Sequence, residues 1–247
     1  MATAASQVIL HPVVSQSLKF GSTTLGRDKT YRAVQYFARF FAWYLLRSGD
    51  KVDAARWNAL KSHLGTARKL LRLGKPVEHL QAALRAALAT GPPTEQITTI
   101  ARQIAYFGFL SYDVIVWANA IKFINLNSET AKRVSKTSNR FWLAGILFSI
   151  VNSVLKTVRL TKESKQLRAA KSWGEKDVGE ETQRQARLHA VKAAQAAARR
   201  QFTIDLLDVW IPATGAEVVQ VNEGTLGIFG LISSLMGMQA QWKAVSK

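Results

Sequence analysis

The sequence predicts an all-α fold: a membrane-associated helical bundle with amphipathic surface helices and one to three membrane-embedded helices. Three observations carry that prediction. Apolar residues make up 48% of the 247 residues, yet 34 Lys and Arg against 16 Asp and Glu leave a net charge of +18, a field that attracts anionic lipid surfaces or nucleic acid. Stretch after stretch repeats apolar residues at the i, i+3, i+4, i+7 spacing of one helix face. Near the end, Gly224 to Trp242 runs 19 residues without a charge, about the length that crosses a bilayer. Cysteine is absent, which excludes a disulfide framework, a thiolate metal site and a thiol nucleophile.

Composition divides the chain into four segments: 1–90, N-terminal helices including 51–89; 94–160, hydrophobic helices; 161–201, a basic polar loop and helix; and 202–247, a glycine-rich membrane anchor. The first ten residues lack the charged start and long apolar run of a signal peptide, so co-translational export is not expected. His11-Pro12 opens a leader in which Val14 to Phe20 forms a brief helix ending at Gly21-Ser22. Tyr31 to Leu46 follows as a helix whose narrow polar stripe, Arg32, Gln35, Arg39 and Arg47, leaves aromatic and aliphatic groups on the other faces, so it is buried nearly all round.

Lys51 to Ala89 organises the rest. Trp57, Leu60, Leu64, Ala67 and Leu71 fall on one side of a helix, and Lys61, Arg68, Lys69 and Arg72 on another. This pattern suits a helix lying in a lipid headgroup layer; it equally suits a helix facing a protein core. Gly74-Lys75-Pro76 breaks the run, and Val77, Leu80, Leu84 and Leu88 resume the stripe, Pro76 being tolerated in a first helical turn.

Thr90-Gly91-Pro92-Pro93 ends that helix, and the next runs towards Leu126. Within it, Gln103 to Ile121 is nearly long enough to span, but Asp113 in its middle costs about 2.5–3.5 kcal/mol in an isolated transmembrane helix, so an Asp facing partners within a bundle is the alternative. Phe141 to Leu155 is uncharged but, at about 22 Å, short of a hydrocarbon core of about 30 Å. Beyond it, Trp173-Gly174 and Val178-Gly179 read as a loop and Glu181 to Arg200 as an alanine-rich helix with a solvated basic face. In the last segment Gly224, Gly227, Gly230, Ser233, Ser234 and Gly237 let helix backbones approach closely, for packing or oligomerisation.

Catalysis is not expected. His11, His63, His79 and His189 have no metal-ligand spacing, and no phosphate-binding loop, nucleophile elbow or dinucleotide fingerprint occurs. Asp205 and Asp208, at i, i+3, read as an ion-pairing or capping pair. Neither a cofactor nor a metal is expected. A nucleic-acid partner is disfavoured because it explains the charge but not Gly224 to Trp242.

The run Gly26-Arg27-Asp28-Lys29 with Arg32, Gln35, Tyr36, Ala38 and Arg39, then Arg68, Lys69, Arg72, Gly74, Lys75, Glu78 and His79, resembles the fungal branch of the peroxin 11 family. The resemblance is spread along the chain, and no single short motif carries it. It implies a helical protein of the peroxisomal membrane that binds and bends that membrane, self-associates, and prepares elongated peroxisomes for fission by a dynamin-related GTPase. On this reading Trp57, Leu60, Lys61, Leu64, Arg68, Lys69, Leu71 and Arg72 insert into the anionic phospholipid surface, and the glycine-rich helix supports a homo-oligomer. Pro76 departs from the continuous amphipathic region the family leads one to expect. The alternative is a pore or metabolite channel formed by a helical oligomer, with Arg32, Arg39 and Asp113 turned inward.

Overall fold

The computed structural model describes residues 4–169 and 178–246. It is 88% helical, with no strand among the described residues. Ten helices follow in order: α1 (Ala4–Ile9), α2 (Pro12–Ser22), α3 (Thr24–Ser48), α4 (Lys51–Leu70), α5 (Lys75–Leu88), α6 (Pro93–Ala120), α7 (Ser128–Ala169), α8 (Val178–Asp208), α9 (Trp210–Gly215) and α10 (Glu223–Val245). Trp173-Gly174 lies outside the described residues, whereas Val178-Gly179, expected in a loop, opens α8. That helix runs without a break across positions 201 and 202, where composition marks a change of segment.

Local chemistry sets the boundaries. The Thr23 hydroxyl accepts the Gly26 N–H at 2.9 Å to cap α3, and Gly49, at φ 91°, ends it in a left-handed conformation that side chains rarely adopt. Asp50 then caps α4 by accepting the Asp53 N–H at 3.0 Å. After the break at Gly74, Pro76 sits in the first turn of α5, where its missing N–H costs nothing. The Gln96 side-chain amide reaches back to the carbonyls of Ala86, Ala87 and Ala89, each at 3.0 Å, and so satisfies acceptors that the end of α5 leaves open.

The last helix returns to the start of the bundle, where α10 packs on α3 and touches α2. Helix α3 packs on α4 and α10, α4 touches α6, α6 lies between α5 and α7, α7 packs on α8, and α8 reaches α10. The circle is closed by small residues. A Cβ added at Gly224, Gly227 or Gly230 would come within 2.4, 2.6 and 2.2 Å of Trp43, Phe40 and Tyr36 of α3. Ser233 and Ser234 are buried beside them, with the Ser234 hydroxyl donating to the Gly230 carbonyl. The small-residue face of α10 therefore serves a contact within the chain. Tyr36, Ile211 and Leu226 form the apolar centre, with Trp142, Val221 and Leu231 packed around it.

Among the described residues one helix, α7, is long and apolar enough to cross a membrane. Its 42 residues extend about 63 Å. The uncharged run Phe141 to Leu155, too short alone, is continued by helix through Lys156, and only 28% of the apolar window is buried in the bundle. The uncharged run expected to be the anchor, Gly224 to Trp242, does not meet the same test, because glycine, serine and glutamine dilute its apolar content.

The α3–α10 contact makes a direct prediction. Gly227→Val must displace the α3 backbone at Phe40 and is expected to destabilise the bundle by about 1–3 kcal/mol. Gly74→Ala, whose Cβ meets nothing within 4 Å, is expected to leave stability unchanged. Thermal unfolding of the two variants in detergent, followed by circular dichroism, checks the contrast.

Candidate functional site

The residues expected to meet lipid divide into two groups. Lys61, Gly65, Arg68 and Arg72 recur at i, i+4, i+7, i+11 and so form a stripe of their own. The bundle turns this stripe inward. Arg68, only 8% exposed, donates from Nε to Asp28 Oδ1 at 3.0 Å and from Nη1 to Gln35 Oε1 at 2.7 Å, while the Gln35 amide lies over Gly65, at 3.0 Å from where a Cβ would stand. Arg72 donates to Asp113 Oδ2 at 2.8 Å and lies over the Phe109 ring; Lys69 binds the other oxygen of the same carboxylate. Lys61 reaches towards Glu223 at 3.5 Å. In this closed conformation Arg68, Lys69 and Arg72 are therefore committed to carboxylates of α3 and α6 rather than presented to headgroups. The physical reason is Asp113: a buried carboxylate, 4% exposed, is stable only with cations beside it.

The apolar members behave differently again. Trp57 stacks edge-on against Phe37 and Phe41 of α3, at 5.7 and 5.0 Å between ring centroids. Leu64 and Leu71 are half-buried, and Leu60 is exposed. After the break, the whole stripe of α5 faces outward: Val77, Leu80, Leu84 and Leu88 are all exposed, Leu84 by 60% and Leu88 by 86%. Outward apolar side chains continue on other helices, among them Ile97 and Ile104 of α6, Leu147, Val151 and Val158 of α7, and Ile232 and Leu235 of α10.

The interior is correspondingly polar. Arg32 of α3 donates to Asp208 of α8 at 2.7 Å and to Ser233 of α10 at 2.9 Å, and its guanidinium lies over Tyr36. Asp208 thus takes the ion-pairing role expected of it. Asp205, also buried, accepts from Gln201 at 2.8 Å. Glu95 of α6 holds Arg159 of α7 through both oxygens, at 2.6 and 3.2 Å, and Asn152 donates to the Glu95 carbonyl and to the hydroxyls of Thr98 and Thr99. Arg39 forks onto Glu223 nearer the surface, at 2.9 and 2.6 Å. Burial would raise the Asp28 carboxyl, but Arg68 and Arg72 beside it hold it below the ordinary carboxylate value. Burial likewise pushes the Arg68 guanidinium down to about 10. Beside the apolar centre, then, the bundle buries a network of paired charges and hydroxyls while many leucine, isoleucine and valine side chains face outward, an arrangement that suits a protein in contact with a membrane.

Comparison with known proteins agrees with that arrangement. Residues 14–242 match the family described as Peroxisomal biogenesis factor 11 (PEX11). The chain belongs to that family. It is 28% identical to Peroxisomal membrane protein PMP27 of Saccharomyces cerevisiae, over 96% of this chain and 98% of that protein. It is 25% identical to Peroxisomal membrane protein PMP30A of Candida boidinii, over 96% and 97%, and 24% identical to Peroxisomal membrane protein 11A of Homo sapiens, over 89% and 93%. No solved structure matches. As a member of the PEX11 family the chain is a peroxisomal membrane protein with a role in peroxisome proliferation, and the family is one of membrane biogenesis factors rather than a known class of enzyme.

What the α4 pattern alone does not reveal is the set of partners: Asp28 and Gln35 are 40 and 33 positions from Arg68, and Asp113 is 41 from Arg72. The second stripe through Lys61, Gly65, Arg68 and Arg72 is the signal that was present.

Asp113→Ala strands Lys69 and Arg72 together, and removing one side of a buried ion pair costs about 3–5 kcal/mol. Asp53→Ala, which removes the partner of the exposed Arg56, is expected to cost under about 1 kcal/mol. Unfolding of both variants in detergent micelles, with protease sensitivity at α4 as a second readout, distinguishes these outcomes.

Proposed function

We propose that this PEX11-family protein remodels the peroxisomal membrane by laying the outward apolar stripe of α5 into the lipid headgroup layer, curving and elongating the membrane ahead of fission. The observation that carries this reading is the exposure of Val77, Leu80, Leu84 and Leu88 on one face of a helix that separates its apolar and polar sides sharply. Each such side chain moved from water to acyl chains contributes about 1.5–3 kcal/mol, and each Lys or Arg near an anionic surface about 1 kcal/mol; Lys75 and Arg85 lie on the same helix. A wedge in one leaflet expands that leaflet relative to the other, and curvature follows.

On this reading Trp57, Leu60, Lys61, Leu64, Arg68, Lys69, Leu71 and Arg72 form a second, latent membrane-binding surface. Leu60 can reach lipid from the closed bundle, whereas the three paired cations are freed for it only if α4 leaves Asp28 and Asp113. Self-association and recruitment of a dynamin-related GTPase belong to the same proposal. A channel within one chain is less well supported, because the inward charges are paired across the bundle and the cavities between them, about 150 and 270 Å³, have the size of small ligands.

Full-length protein added to vesicles containing anionic phospholipid is expected to draw them into tubules visible by electron microscopy. Leu80→Glu with Leu84→Glu should abolish tubulation and weaken vesicle binding at least tenfold with an unchanged circular dichroism spectrum, since both side chains lie on the exposed face of α5. Undiminished tubulation by the double variant would rule out α5 as the inserting element.

A further inference from the structure

Next to the Asp113 cluster, and apart from the outward apolar stripe of α5, lies a second cavity of about 270 Å³ with more positive charge than the bundle neutralises. Lys29 and Arg32 of α3, Arg68 and Arg72 at the end of α4, and Lys75 at the start of α5 line it, facing the carboxylates of Asp28 and Asp208. With Asp113, which holds Arg72 from just outside the lining, these five cations meet three carboxylates, and two positive charges are left. Three of the five have identified partners: Arg32 holds Asp208, Arg68 holds Asp28 and Arg72 holds Asp113. The other two do not balance. Lys75 meets only the exposed Glu78, at 3.7 Å, and the Lys29 ammonium has no hydrogen bond or ion pair among the described residues.

The opposite wall is uncharged, formed by Tyr106, Trp142 and Ile204 from α6, α7 and α8. Burial and the neighbouring Arg32 push the Lys29 ammonium down to about 8, more than the nearby carboxylates of Asp28 and Asp208 offset. A carboxylate would offset one of the two charges; a phosphate carries up to two and offers three acceptor oxygens, which suits a lysine acting as a point charge beside arginines whose forks are already occupied.

We propose that this cavity binds an organic phosphate, with the phosphoryl group held by Lys29 and Lys75 beside Arg32 and the uncharged body against Tyr106, Trp142 and Ile204. The phosphate comes either from a soluble phosphorylated metabolite or from a phospholipid headgroup entering from the bilayer. Val77, Leu80, Leu84 and Leu88 do not line the cavity, so the proposal stands or falls independently of membrane insertion by α5.

The test uses full-length protein in neutral detergent at 150 mM salt, where screening weakens diffuse attraction by the overall positive charge. Inorganic pyrophosphate and dihexanoyl phosphatidic acid are titrated separately by calorimetry, with dihexanoyl phosphatidylcholine as the uncharged comparison. Saturable binding of at least one anionic probe is expected, weakened tenfold or more by Lys29→Met and unchanged by Lys51→Met at the exposed start of α4. Binding of pyrophosphate alone assigns a soluble ligand; binding of phosphatidic acid alone assigns a lipid headgroup; binding of both assigns a site for the shared phosphate. Lysine acetylation of the unaltered protein, mapped by mass spectrometry, gives the same answer without a variant: the bound probe is expected to protect Lys29 at least fivefold and Lys51 not at all. Absence of saturable binding by either probe, or binding that neither depends on Lys29 nor protects it, overturns the proposal.

Discussion

Asp113 is the constraint on which the arrangement of this bundle rests. A carboxylate in the middle of an apolar helix is untenable unless cations meet it, and here Lys69 and Arg72 cross from the end of α4 to do so. Once α4 is drawn to α6 in this way, Arg68 is brought to Asp28 and Gln35 of α3. Arg32, one turn further along α3, completes the set by joining α8 and α10 through Asp208 and Ser233. One chain of charge pairs and hydrogen bonds thus links five helices, and with the close backbone packing of α10 on α3 it fixes which faces meet.

That division of forces explains the surface. Polar groups collect inside because they find partners there, which leaves leucine, isoleucine and valine of α5, α6, α7 and α10 facing outward. The two halves of the 51–89 region consequently take different roles. In α4 the cations are structural in the closed bundle, locked against α3 and α6; in α5 the leucines are free. The turn from Leu71 to Gly74, with Pro76 opening the first turn of α5, lets the two segments point their stripes in unrelated directions. A chain in which α4 and α5 formed one continuous helix would have to bury or expose both stripes together.

Membership of the PEX11 family places this architecture at the peroxisomal membrane. In the role proposed above, a helix in the headgroup layer would expand one leaflet, and α7, long and apolar enough to cross a bilayer, would hold the protein in the membrane. The glycines of α10 serve a third demand, holding α3 close enough that its aromatic side chains Tyr36, Phe40 and Trp43 interlock with the returning helix.

Much of this was legible in the residues themselves. Helix content, the break at Gly74 to Pro76, the ion-pairing role of Asp208 and the close-packing face through Gly224, Gly227 and Gly230 all depend on local spacing and side-chain chemistry, which a linear sequence carries in full. The direction in which each stripe faces does not. Trp57, Leu60, Leu64 and Leu71 and the neighbouring basic stripe form two adjoining faces of one helix, and periodicity treats them alike. Only the partners 33 to 44 positions away, Asp28, Gln35 and Asp113, decided that the basic face is the buried one. For the same reason tertiary structure alone could show that α7 continues through Lys156 to spanning length, that the α10 glycines meet α3 of the same chain, and that Lys29 stands without a counterion. Spacing determines what a helix can present; the charges that other helices bring to it determine which face it does present.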